Sequence, residues 1–139
     1  MPANKVFLDA SYIIALSSLT DQYHKQAEIL ADKLENEGTQ LITTRAIILE
    51  IGNALAKQRY RNAAIELLNS LETDPNVKII SLSEELYKRA FQFYQSRMDK
   101  EWGLTDCISF IIMKKYGLFD ALTSDEHFQQ AGFKAMLLK

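Results

Sequence analysis

Cysteine is almost absent. Cys107 is the only one, so an internal disulfide and a CxxC-type metal site are both excluded. That usage fits a reducing compartment, and the expected location is the cytoplasm. Two prolines and five glycines leave no candidate linker and no low-complexity segment. No run approaches the ~18 apolar residues of a membrane helix. The first apolar stretch, Val6-Phe7-Leu8, is stopped by Asp9 before it resembles a signal-peptide core. Positive charge is also short, with 16 Lys and Arg against 18 Asp and Glu, a net charge of −2. This balance speaks against a protein that grips nucleic acid by bulk positive charge. It leaves open one that meets phosphate through a bound metal.

What is present suffices for one ordinary domain. The chain has 139 residues, 47% hydrophobic and 24% charged, the proportions of a soluble globular protein. A chain of this length buries roughly two-thirds of its unfolded surface and needs no disulfide or structural zinc. The expectation is a single domain spanning residues 1–139.

Apolar runs alternate with helical patterns. Strands are predicted at 5–9, 40–43, 77–80, 118–123 and 133–138. Helices are predicted at 10–16, 21–37, from Thr44 to about Gln58, 60–71, from Ser83 onward, 105–115 and 125–130. Gly38 and Gly117 are natural helix stops, and Asp74-Pro75-Asn76 is a turn signal. Strands alternating with helices predict an α/β fold: three layers, α/β/α, around a mostly parallel sheet with right-handed crossovers. Ligands of such sheets sit beyond the carboxyl ends of the strands.

That rule singles out four acids. Asp9 ends the first strand, and Asp125 follows the fourth. Asp106 lies in the first turn of an apolar helix, and Glu50 lies inside Ala46-Ile47-Ile48-Leu49-Glu50-Ile51. Each has a plainer explanation. Asp9 and Asp125 are good N-caps, and Asp106 suits the positive end of a helix dipole. Glu50 is explained by a helix edge that reaches solvent, since an unpartnered buried acid is costly. Together they point elsewhere, because several carboxylates in one cleft repel unless a cation holds them. Oxygen-only donors select a hard ion, Mg²⁺ or Mn²⁺, over zinc. Such ions activate water and stabilise the leaving oxygen in phosphodiester displacement.

Four segments carry a family resemblance: Phe7-Leu8-Asp9-Ala10-Ser11, Glu50-Ile51-Gly52-Asn53-Ala54-Leu55, Leu104-Thr105-Asp106-Cys107 and Leu122-Thr123-Ser124-Asp125-Glu126-His127-Phe128. They resemble the acidic motifs of PIN domains, and most closely those of VapC-type toxins of toxin–antitoxin pairs. The resemblance spans nearly the whole chain. It implies a metal-dependent endoribonuclease in which Asp9, Glu50, Asp106 and Asp125 hold Mg²⁺ or Mn²⁺ and position the attacking water. Ser11 and Thr105 match small hydroxyl positions that orient the site or its metal water. It further implies RNA as substrate, a separately encoded antitoxin and a homodimer, with no membrane partner.

The remaining chemistry-bearing residues have ordinary readings beside functional ones. His24 reads as a surface residue on a helix, and His127 as packing or capping, with a substrate contact as its alternative. Cys107 reads as a small core residue. Arg45 is the best single candidate for a phosphate contact, with a structural ion pair as its alternative. Lys57, Arg59, Arg61, Lys78, Lys88, Arg89 and Arg97 read first as solvated faces. Trp102 reads as half-buried packing, with base stacking as the functional alternative. Tyr12, Ile13, Leu16 and Leu19 read as core first and as a dimer or antitoxin surface second.

Two other functions stand against a nuclease. One is a non-catalytic PIN-like module that binds RNA or protein. The other is a phosphoryl-transfer receiver or phosphohydrolase, which usually carries a Lys after a late strand; none follows Thr123 closely.

Overall fold

Central strands of a parallel sheet are buried on both faces, so their residues are apolar at every position rather than at alternate ones. Val6, Phe7 and Leu8 follow this rule, as do Ala121 and Leu122, and all five are buried. In the computed structural model, which describes residues 4–138, these segments are β1 (Lys5–Leu8) and β4 (Asp120–Leu122). They lie side by side at the centre of a five-stranded sheet with β2 (Gln40–Thr44), β3 (Val77–Ile80) and β5 (Lys134–Ala135). The order is β3-β2-β1-β4-β5, and every pairing is parallel. Seven helices complete the three layers: α1 (Ala10–Ser17), α2 (His24–Glu37), α3 (Arg45–Ala54), α4 (Gln58–Thr73), α5 (Glu84–Ser96), α6 (Leu104–Lys115) and α7 (Glu126–Gln130). The predicted α/β/α architecture is therefore the one observed. The two ends of the predicted 1–139 span lie outside the described residues.

The chain steps from β1 outward through β2 to β3, then returns to the other side of β1 as β4. The strand order reverses at β1, and the crevice between the carboxyl ends of β1 and β4 is the topological switch point where open α/β sheets bind ligands. Asp9 directly follows β1, and Asp125 closely follows β4.

An aromatic chain runs through the core. Phe7 of β1 meets Phe128 of α7 at 6.1 Å between ring centroids, and Phe128 meets Phe110 of α6 edge-on at 5.0 Å. Phe110 in turn meets Trp102 edge-on at 5.1 Å. Edge-to-face pairs of this kind stabilise beyond their buried area.

Several predicted boundaries move. α2 begins at His24 rather than Asp21, because the Asp21 carboxylate accepts the Tyr23 N–H at 2.8 Å and holds residues 21–23 in a turn. α3 ends at Ala54, and Gln58 opens α4 instead of closing α3. No Pro or Gly marks that break; the Arg61 guanidinium stabilises it by donating twice to the Ala56 carbonyl, at 2.6 and 3.1 Å. The last strands are shorter than predicted, although Met136 N–H to the Ala121 carbonyl and Leu137 N–H to that of Thr123 extend their bonding at 2.9 and 3.1 Å.

Gly38 does end α2, in the left-handed region at φ 63°, and Gly117 turns the chain after α6 at φ 65°. His24 is not a simple surface residue: its Nδ1 lies 2.8 Å from the Ala15 carbonyl and ties α2 to α1. Tyr12 and Ile13 belong to the core, whereas Leu19 is 84% exposed. Cys107 is buried, as expected of a core residue.

Candidate active site

The switch-point cleft has a volume of about 460 Å³, and Asp9, Glu50, Asp106 and Asp125 all line it. They arrive by different routes. Asp9 caps α1, with Oδ2 accepting the Ser11 N–H at 3.4 Å. Asp125 caps α7, with Oδ1 accepting the His127 N–H at 2.9 Å. Asp106 turns back across the first turn of α6 to accept the Gly103 N–H on Oδ2 at 3.0 Å. Glu50 projects from α3, whose start is fixed at the end of β2 by the Thr44 side chain accepting the Ile47 N–H at 3.2 Å. Capping explains why three of these acids are held rigidly. It does not account for their convergence.

The hydrogen bonds have a common asymmetry. Asp9 Oδ2 accepts the Ser11 hydroxyl at 2.8 Å and the Thr123 hydroxyl at 2.7 Å. Asp106 Oδ2 accepts Gly103 N–H and faces His127 Nδ1 at 3.0 Å. Asp125 engages through Oδ1. In each aspartate one oxygen is committed to the scaffold. The other, and both oxygens of Glu50, have no hydrogen-bond partner among the described residues. Carboxylates oriented through one oxygen present the second as a preorganised ligand.

Electrostatics agree. Burial raises the Asp9 pKa above its ordinary value, Thr123 and Ser11 oppose that rise, and the Asp106 charge adds to it. Burial also raises Asp106, against the Gly103 N–H and His127. Glu50 stands at an exposed edge of α3, and its carboxyl is pushed to about 7 by desolvation and then by the charges of Asp9, Asp106 and Asp125. His127 is pulled down by burial, but its hydrogen bond to Asp106 and the charges of Asp125, Asp106 and Glu126 raise it on balance. No Lys or Arg among the described residues lines the cleft. A set of oxygen donors that repel one another and lack a cationic partner fits a hard divalent cation. Among the described residues the group that converges to within 4.8 Å is Asp106, Asp125 and His127; Asp9 and Glu50 line the same cleft but do not join that group.

Two residues beyond the predicted acids and Ser11 complete the framework. Thr123 is fully buried; it donates to Asp9 and accepts the Asp125 N–H at 3.0 Å, so one hydroxyl positions two of the acids. Its place two residues before Asp125, at the end of β4, was the available signal. Asn53 lines the cleft three residues after Glu50, a spacing that shares a helix face. His127, read as capping or packing, sits against Asp106 instead. Ser11 lines the cleft, where its Oγ donates to Asp9 and accepts the Ser124 N–H at 3.0 Å. Thr105 is not among the lining residues, and its carbonyl accepts the Ser109 hydroxyl at 3.0 Å. Arg45 is turned away into an ion pair with Glu72 of α4, so the structural alternative describes it. Trp102 is only 5% exposed, with its Nε1–H donating to Gln130 Oε1 at 3.0 Å, which removes its face from simple stacking.

A parallel sheet with four acids at its switch point defines a class, and comparison with known proteins bears on the same class. The PIN domain model matches residues 6–134, and the chain belongs to the PIN domain family. Among curated proteins it is similar to the 23S rRNA-specific endonuclease VapC20 of Mycobacterium tuberculosis, with 23% identity covering 92% of this chain and 95% of that protein. The crystal structure of M. tuberculosis VapC20, described as a Sarcin-Ricin loop cleaving toxin, superposes with a TM-score of 0.80 at 22% identity, covering 92% of this chain and 95% of that one. FitAcB from Neisseria gonorrhoeae superposes with a TM-score of 0.62 at 19% identity, covering 94% of each chain.

Proposed function

We propose that this chain is a divalent-metal-dependent endoribonuclease, the toxin of a type II toxin–antitoxin pair, with Asp9, Glu50, Asp106 and Asp125 as its catalytic, metal-holding carboxylates. The observation that carries this reading is the asymmetry of the aspartates: one oxygen anchored, one free, all around a cleft with no internal cation. Family membership and the endonuclease named VapC20 support RNA as the substrate class.

Bound Mg²⁺ or Mn²⁺ supplies Lewis acidity and a water of lowered pKa. The protein's own part is positioning. Asp9, Asp106 and Asp125 would hold the cation, each having a carboxylate oxygen not engaged by the scaffold. Ser11 and Thr123 keep Asp9 in place, and His127 keeps Asp106 in place. Glu50, with no hydrogen-bond partner and a pKa of about 7, accepts the proton of the attacking water. The water oxygen bonds to phosphorus as the opposite P–O bond breaks; the leaving oxygen takes a proton from solvent, and Glu50 returns the one it accepted to solvent, so the protons balance. An antitoxin segment reaching the cleft would silence it by supplying the cation the cleft lacks, and a homodimer completes the expected assembly.

The test is incubation of purified protein with RNA in Mg²⁺ or Mn²⁺, with EDTA and an Asp9→Asn variant as controls. Cleavage that requires metal and disappears in the variant is expected. Cleavage unaffected by either control sinks the reading. So does a protein whose melting temperature is indifferent to metal, since ligands that bind only the native state stabilise it by mass action.

A further inference from the structure

A second cavity, of about 550 Å³, is formed by residues of α5, α6 and the C-terminal end of α7 and shares no lining residue with the acidic cleft. Its lining contrasts with the cleft. Arg89 of α5, Lys114 of α6 and Arg97 contribute positive charge, and no Asp or Glu lines it. Arg97 is engaged by Asp99 through two hydrogen bonds of 3.0 Å, and it covers the Trp102 ring at 4.9 Å. Arg89 and Lys114 are exposed and have no ion-pair partner among the described residues. Half-buried Phe93 and Phe133 offer aromatic surface above a floor of buried Trp102 and Phe110.

Free cations beside aromatic surface are the combination that holds single-stranded nucleic acid, by phosphate attraction and base stacking together. The cavity is also coupled to the cleft. Gln130, the last residue of α7, lines it and accepts the Trp102 Nε1–H, while Asp125 caps the other end of the same helix. Five helical residues rise about 7 Å, the scale of one nucleotide step.

We propose that this cavity is a nucleotide subsite of the RNA substrate, in which Phe93 and Phe133 take a base flanking the scissile phosphate and Arg89 and Lys114 take its phosphate. The proposal rests on the nuclease reading above for the identity of the ligand as substrate. The chain has a single tryptophan, which lines this cavity and a neighbouring one formed with Tyr94, Met98 and Lys100, so a Trp102 fluorescence change is assigned to this cavity by its loss in the Arg89 and Lys114 variants.

Titration of metal-free Asp106→Asn protein with AMP is expected to give a saturable fluorescence change. Inorganic phosphate and adenosine, each lacking one half of the recognition, bind about tenfold more weakly or worse. The exposed Arg89→Ala/Lys114→Ala double variant loses about tenfold in AMP affinity with an unchanged melting temperature. With wild-type cleft residues, the same double variant raises KM for RNA by a similar factor and leaves kcat within about twofold. Absence of a saturable change with AMP overturns the proposal, as does equal binding by the double variant. Tighter binding of hexaglutamate than of AMP also overturns it, in favour of an acidic protein partner. Cleavage without AMP binding defeats the subsite and spares the nuclease reading, whereas AMP binding without cleavage does the reverse.

Discussion

The two ends of α7 face opposite electrostatic problems. At its N-terminal end four carboxylates crowd one cleft without a cation among its lining residues. At its C-terminal end a cavity of similar size gathers Arg89, Arg97 and Lys114 without an acid. The first region is held at a cost, since each acid there with a shifted pKa is shifted towards its neutral form. The second is relaxed, with its free cations in water. Like charges are kept together only where the scaffold over-determines them, and here caps, hydroxyls and a histidine do so. A net charge of −2 therefore conceals a strongly polarised molecule.

The comparison breaks most completely at the element both regions share. Phe128 is fully buried between Phe7 and Phe110. Phe128→Ala is expected to cost about 3–5 kcal/mol in chemical denaturation and to disable cleavage and nucleotide binding together. A loss of only one would mean that α7 does not couple them. Asp106→Asn separates the regions. Cleavage of RNA is expected to fall by roughly 10²-fold or more, the scale on which removing one electrostatic contact acts. AMP binding by Trp102 fluorescence should persist.

Thr123→Val sharpens the contrast within the cleft. It removes the donor to Asp9 and the acceptor of the Asp125 N–H, so a destabilisation of about 1–3 kcal/mol is expected. Affinity for Mn²⁺, read by calorimetry, should weaken while the nucleotide cavity is untouched. The smallest effect is that of pH. The folded-state pKa of Glu50, about 7, lies above the ordinary glutamate value. An acid raised in this way adds stability when protonated, and that stability is lost as pH rises through the folded value. The metal-free protein should thus melt a few degrees higher at pH 6 than at pH 8. Glu50→Gln should flatten this slope, and saturating Mg²⁺ should reverse it.

Much of this was legible from local pattern. β1 through β4, Gly38 as a stop and a helix opening at Ser83 follow from burial period and helix-end chemistry, which act over a few residues. The α3–α4 break was not legible, because Arg61 secures it through a backbone carbonyl rather than through Pro or Gly. Among the functional candidates, the four acids were visible as carboxylates at strand ends or in apolar company. Arg45 was indistinguishable from a phosphate ligand until Glu72, distant in the chain, was seen beside it.

By itself, then, the sequence determined the alternation of strands and helices, hence a parallel sheet and an acidic switch point. These depend on side-chain periodicity and on the near-obligatory handedness of crossovers. Only the tertiary structure decided what each acid is bonded to. A carboxylate's committed oxygen, the double role of Thr123, the approach of His127 to Asp106 and the burial of Trp102 under Arg97 all depend on contacts across the fold. Polar groups find their partners in three dimensions, and one-dimensional spacing does not encode which partner is nearest.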